Sequence, residues 1–393
     1  MGKNRESMAY MLLLVYLTCY FTKLFDFPDF LMLVLGAGFC FVLFLKQKKI
    51  RVDLGLILLA ITMFSYCIIV FGFRAVAIMM PYIPVLMYVL SHYVMKWIKP
   101  HDNFEIKLMQ IIYALVLGHA IHGILNSWTY LAGYRWEGTR GWMDIWSKDY
   151  VAGTQLTFYF ITVFSMLFPA IVYFRKRKVL NAAWIAITFF LVYSSLATRT
   201  RTTLLVLILV FGAQMVLYAI IEREKVLKIL TPKIIGMFAA GMLAVIAISF
   251  LALKDNEMIR IFIDNMGKDG GILNNIRFRV QKQAISQLFT YPMGGNQMIL
   301  DLKLCHNTWL DIANTAGLIP FFAFLAYTLW SVYEMIRFIL KKEIATETKI
   351  VFAGLYFAYF LYYMVESAVL ITVHFLAPWV MINGLIHGYL TEK

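Results

Sequence analysis

About a dozen separate stretches of this chain are apolar on every side for the length that spans a bilayer, roughly 20 residues of helix. They lie near 8–25, 28–45, 53–73, 76–95, 106–127, 151–173, 180–198, 202–221, 232–253, 310–338, 350–370 and 372–390. No other feature constrains the fold as tightly. A backbone in hydrocarbon must satisfy its own N–H and C=O groups, which leaves only helices and closed barrels. Barrel strands alternate polar and apolar side chains, and these runs do not. Composition agrees, with 62% hydrophobic and 15% charged residues, against about 25% charged in a soluble domain. The expectation is an all-α polytopic membrane protein of about 12 transmembrane helices, one membrane domain over residues 1–393.

The first stretch follows Lys3 and Arg5 and lacks a small-residue cleavage site, so it reads as a span rather than a leader. Pro81 and Pro84 predict a kink in the fourth span. Four scattered cysteines show neither a disulfide framework nor a metal-ligand spacing.

The net charge of +14 is read as topogenic rather than as a nucleic-acid signal. With the N-terminus cytoplasmic, the loops on that side hold "KQKKIR" (46–51), Lys96 and Lys99, "RKRK" (175–178), "EREKVLK" (222–228) and "KKEIATETK" (341–349). Each is basic or mixed, as the positive-inside rule requires, and the C-terminus is then cytoplasmic too. Of the 14 Lys and Arg residues left outside, eight are Arg: Arg74, Arg135, Arg140, Arg199, Arg201, Arg260, Arg277 and Arg279. Inside, only six of 22 are Arg. Lys suffices for topology, whereas the planar guanidinium suits phosphate and carboxylate. Lipid headgroup contact is the competing explanation.

Two extracytoplasmic loops are long, about 128–150 and 254–309. Loops of that length are functional or disordered, and these are too aromatic and apolar for disorder. Within the second, 274–290 reads as an amphipathic helix on the membrane surface, with Ile276, Val280, Ala284 and Leu288 repeating every four residues.

Polar residues at the outer ends of the spans are the candidate chemistry. Arg199 and Arg201 stand at a tight turn between two apolar helices. They either snorkel to headgroups or form an anion site. Arg277 and Arg279 lie on the surface helix, a Pro-Met-Gly-Gly turn follows, and His306-Asn307 opens the next span. A His there can serve as a general base near neutral pH or be a satisfied polar residue. Glu366 falls toward the outer end of the eleventh span, where a carboxylate is a functional candidate or an ion-pair partner of an Arg. Trp136, Trp142 and Trp146 can stack on sugars or anchor the interface. Arg135 and Arg140 are candidates for gripping an anionic group. His119 and His122 share one side of a span, where helix packing outweighs a metal site.

The order of these elements resembles the O-antigen ligase and O-antigen polymerase superfamily. The matching stretches are "TRTTLL" with Arg201, Arg277 followed by Pro292 and Gly295, and "HNTWLDIANTAGLIPFF" with His306, Asn307 and Gly317. The similarity is strongest over about 195–330. It departs where the family often has Trp four residues after the second Arg, here Gln281, and where Arg199 and Arg279 near-duplicate Arg201 and Arg277. The 13 residues between Pro292 and His306 are few for a ligase and favour a polymerase.

The resemblance implies a membrane-embedded C-type glycosyltransferase in the bacterial inner membrane, with its active site on the extracytoplasmic side. Its donor would be a saccharide on undecaprenyl pyrophosphate. A polymerase would join such repeat units into O-antigen, capsule or exopolysaccharide. A ligase would transfer the finished chain to lipid A core. The chemistry expected is metal-independent, inverting and without cofactor. Arg201 and Arg277, with Arg199 and Arg279, would neutralise the pyrophosphate; Asn307, Arg135, Arg140, Trp136 and Trp142 would bind sugar. The base is His306, or Glu366 with His306 as binder. Partners would be membrane lipid, a flippase and a chain-length regulator. Rival classes are a flippase or secondary transporter, which would concentrate charge near the midplane, and an export scaffold, which would not need Arg, Arg and His on one face.

Overall fold

The computed structural model describes residues 3–47, 52–72, 74–133, 142–198, 200–224, 276–368 and 373–391. The span expected at 232–253, and the outer loop up to residue 275, lie outside the described residues. The helices are α1 Lys3–Phe21, α2 Pro28–Gln47, α3 Leu54–Phe71, α4 Ala75–Ile98, α5 Phe104–Leu131, α6 Gly153–Val172 and α7 Lys178–Ala197. After them come α8 Arg201–Ile221, α9 Ile276–Gln287, α10 Thr308–Ala316, α11 Leu318–Leu340, α12 Thr346–Val365 and α13 Ala377–Thr391.

Eight of these, α2, α3, α5, α6, α7, α8, α11 and α12, are long and apolar enough to cross a membrane. The chain is an all-α multi-pass membrane protein. The only strands among the described residues are β1 Trp142–Met143 and β2 Tyr150–Val151, an antiparallel pair in the first long loop. Large apolar side chains face outward along the spans, among them Phe41, Val42 and Leu45 on α2 and Ile208, Val216 and Ile220 on α8. A contiguous apolar exterior of that kind is what lipid covers.

Inside the bundle, packing rather than water exclusion draws helices together, so small residues sit where backbones approach. Gly384 and Gly388 on α13 face α4; a Cβ on Gly384 would lie 2.6 Å from the Tyr88 carbonyl oxygen. Next to α4 runs α3, which also packs on α11. A second group joins α1 to α5, α5 to α6, and α6 to α8 and α12. Gln214 ties this group together by donating to the carbonyls of Ser165 and Ile350, at 2.8 and 3.1 Å.

The fourth span, where a kink is expected, is the single helix α4, with Pro81 and Pro84 inside it. Two expectations change in detail. The tenth span is two helices, α10 and α11, separated at Gly317. Gly317 has φ 83°, and a Cβ there would strike the Pro292 carbonyl oxygen. Gly294, φ 73°, would in turn strike the Gly317 amide. The Pro-Met-Gly-Gly turn and the helix break therefore nest, sealed by Leu318 N–H to Pro292 O at 2.9 Å and Gly295 N–H to Thr315 O at 3.0 Å. Finally, the eleventh span stops early. Its helix ends at Val365, and Glu366 is extended, with φ −142° and ψ 156°.

Candidate functional site

The local sequence around α10 builds the site. Asn307 caps the helix, its Oδ1 accepting from Leu310 N–H at 3.1 Å, which satisfies one of the orphan donors of a helix start. Asp311, in the first turn, then does more than complement the dipole. Its carboxylate accepts from the N–H of Cys305 at 2.7 Å and of Asn307 at 3.1 Å, the two amides that flank His306. Held on both sides, His306 takes the left-handed conformation, φ 52°, which costs a non-glycine residue about 1 kcal/mol or more. Gln281 of α9 donates to the His306 carbonyl at 3.2 Å.

The same first turn fixes the chain after α12. Thr308 Oγ1 donates to the Glu366 carbonyl at 2.7 Å and accepts from Ala368 N–H at 3.1 Å. Ser367 Oγ donates to Asp311. Glu366 is thus presented between α9 and α10 with a side chain only 2% exposed. Arg277 Nη1 donates to its Oε1 at 3.0 Å and to the Val365 carbonyl at 3.0 Å. His306 Nδ1 lies 3.4 Å from its Oε2. One buried carboxylate therefore joins an imidazole and a guanidinium drawn from three separate segments.

With Nδ1 on the carboxylate, Nε2 is the nitrogen left to a ligand, and the His306 side chain is 24% exposed. A carboxylate–imidazole pair of this form orients a base and stabilises the imidazolium that it becomes. The neighbouring Arg277 guanidinium shares the same carboxylate.

The arginine pair on α9 separates cleanly. Residues two apart on a helix point to opposite sides, so Arg277 turns to Glu366 while Arg279 lies at the surface, 3.5 Å from Asp301 and 62% exposed. Three of the four residues of the expected apolar stripe turn inward: Val280, Ala284 and Leu288 are buried against the protein, whereas Ile276 is exposed, as are Phe278, Ile285 and Phe289. Asn307 has both ends of its amide engaged, since Nδ2 donates to the Met364 carbonyl at 3.3 Å.

Arg201 opens α8, and its side chain lies outside the described residues. The first turn of α8 is nonetheless at this end of the bundle. Thr203 shares a 2.5 Å hydrogen bond with Thr157 in the first turns of α6. Tyr362, whose carbonyl accepts from Glu366 N–H, donates to the Thr154 carbonyl at 3.4 Å. Arg199, Arg135, Arg140 and Trp136 lie outside the described residues, as does the side chain of Trp142.

The first long loop has its own anchor. Asp144 is buried, 3.3 Å from His122 Nε2, and accepts from the N–H groups of Trp146 and Ser147. Burial alone would raise its carboxyl; His122 and the two N–H groups outweigh that and hold it well below the usual carboxylate range. Trp146 donates its indole N–H to the Thr22 carbonyl at 3.1 Å, an anchoring role. His119 is buried among the rings of Phe21, Phe158 and Tyr159, as helix packing predicts.

Sequence reasoning missed Asp311, Thr308, Ser367 and Gln281 as parts of the site. The signal for Asp311 was present: Asn307 followed by an acidic residue in the next turn is a helix-start pattern. Neither a protein-family model nor a curated protein matches this sequence.

Proposed function

We propose that the chain is a membrane glycosyltransferase that polymerises oligosaccharide repeat units carried on undecaprenyl pyrophosphate. The observation that supports this reading most is the His306–Glu366–Arg277 cluster at one end of a multi-pass bundle. The charge bias of the loops supports reading that end as extracytoplasmic, the side on which lipid-linked repeat units would be joined.

In the proposed step the acceptor hydroxyl gives its proton to Nε2 of His306, and its oxygen attacks the anomeric carbon. The bond from that carbon to the pyrophosphate oxygen breaks, and its electron pair leaves with undecaprenyl pyrophosphate. Inversion follows from this single displacement. Glu366 stabilises the imidazolium as it forms; a positioned base of this kind contributes about 10²–10⁴-fold. Arg277, with Arg201 at the start of α8, meets the charge growing on the leaving group. Losing one such preorganised donor typically costs about 3–4 kcal/mol.

The test uses lipid-linked repeat units extracted from cells that lack this chain and so accumulate them. Purified protein in detergent, with no gradient or sealed vesicle, is expected to convert them into a ladder, and His306→Ala to leave them unchanged. A single addition to lipid A core would indicate a ligase. Absence of any product from wild-type protein would refute the glycosyltransferase reading.

A further inference from the structure

A second polar cluster lies at the opposite end of the bundle from His306. Glu334 is in the last turns of α11, about 25 Å along the axis from Gly317 at a rise of about 1.5 Å per residue. Around it gather Asp53, which caps α3, His92 on α4 and His387 on α13. One ligand atom each from Asp53, His92 and His387 can be chosen so that all three lie within 4.8 Å of one another.

We infer that Asp53, His92 and His387 form a binding site for a divalent first-row transition ion such as Zn²⁺. Two imidazoles and a carboxylate are a borderline donor set that suits such ions and leaves a fourth tetrahedral position open. Ligand atoms around a tetrahedral Zn²⁺ sit roughly 3.3 Å apart, from bonds of about 2.0 Å; His387 Nε2 and Asp53 Oδ2 are already 3.5 Å apart. The His92 ligand atom lies within 4.8 Å of the other two, against roughly 3.3 Å around a bound ion.

The surrounding groups orient these ligands as metal sites require. His387 Nδ1 lies 3.0 Å from Glu334 Oε2, a contact that turns the ring so that Nε2 faces Asp53. Glu334 is itself held by Arg337 at 2.7 Å through its other oxygen. Asp53 spends Oδ1 on Leu56 N–H and on the Tyr88 hydroxyl, both at 2.9 Å, which leaves Oδ2 for the cluster. The Gly384 and Gly388 contacts bring α13 close enough to α4 for the His92 and His387 rings to stand 5.7 Å apart. An ion there would clamp α3, α4 and α13 at one end, with α11 joined through Glu334.

The test is metal content. Full-length protein carrying a tag without histidines is stripped with chelator in detergent, loaded with Zn²⁺, desalted, and assayed for zinc by mass spectrometry. Co²⁺ titration then reads affinity from its visible absorption. Wild type and His101→Gln are expected to hold one ion per chain. His387→Asn and His92→Asn are expected to fall to background, and Glu334→Gln to bind roughly 10–100-fold more weakly. Zinc-free wild-type protein would overturn the proposal. Unchanged content in the folded histidine variants would overturn it too. Should those variants aggregate, the Co²⁺ affinity of Glu334→Gln decides, and an affinity equal to wild type refutes the site.

Discussion

Replacing Glu366 by Gln separates charge from shape at the centre of the site. The side chain is 2% exposed, bonded to Arg277 at 3.0 Å and 3.4 Å from His306. The amide keeps an oxygen for Arg277 but loses the negative charge, and its NH₂ has nothing to accept from His306 Nδ1. A hydrogen bond to a charged group contributes about 1.5–3 kcal/mol. Breaking a fully buried pair costs about 3–5 kcal/mol, and Arg277, 28% exposed, escapes part of that by reaching water. The stability loss is therefore set at about 2 kcal/mol, which leaves the protein folded. Loss of the carboxylate behind a base lowers the rate much further, about 10²–10⁴-fold. The assay is the initial rate of chain extension by protein that elutes as a single peak in detergent, with thermal stability measured on the same sample. Glu366→Asp keeps the charge but is one methylene too short to reach both partners, so it should retain Arg277 and lose His306, with an intermediate rate. Full activity in Glu366→Gln would refute the argument that this carboxylate drives His306.

Other perturbations follow from the same contacts. Asp311→Asn removes an acceptor from the amides that flank His306, and should slow chain extension while costing about 2 kcal/mol in thermal stability; wild-type activity in that variant would show that the left-handed His306 backbone is incidental. Gly317→Ala should destabilise by at least about 1–3 kcal/mol, because φ 83° is unfavourable and the added carbon meets Pro292; an unchanged melting temperature would deny the nesting of the two glycine turns. The low carboxyl of Asp144 makes the β1–β2 hairpin acid-sensitive. Its stabilisation is fully present above the unfolded value of about 3.9 and is lost as pH falls through the lower folded value. Hydrogen exchange of the hairpin amides should therefore be flat from pH 7 to about 5, once corrected for intrinsic rate, and rise below about 4; Asp144→Asn should remove that transition.

How much of this was legible in the sequence depended on distance along the chain. Apolar runs reveal helices because period and length are local properties, and each expected span that falls on described residues is built mainly of helix there. Helix ends were read less well, because Gly317 and Glu366 stop helices for tertiary reasons: one nests with Pro292, the other is drawn to Arg277 and Thr308. Spacing singled out Arg277 and Arg279 equally; only the rotation of α9 distinguishes the one that meets Glu366. The stripe of Val280, Ala284 and Leu288 was visible, but not whether protein or lipid would cover it. The Asp53, His92, Glu334 and His387 cluster is invisible to spacing, since its members come from four helices spread over most of the chain.

The most direct measurement of the central claim is the size distribution of product made from lipid-linked repeat units by purified protein. A ladder of increasing length still attached to undecaprenyl pyrophosphate is expected, abolished by His306→Ala, Arg277→Ala or Glu366→Gln. Substrate returned unaltered by folded wild-type protein, or a ladder unaffected by all three substitutions, would contradict it.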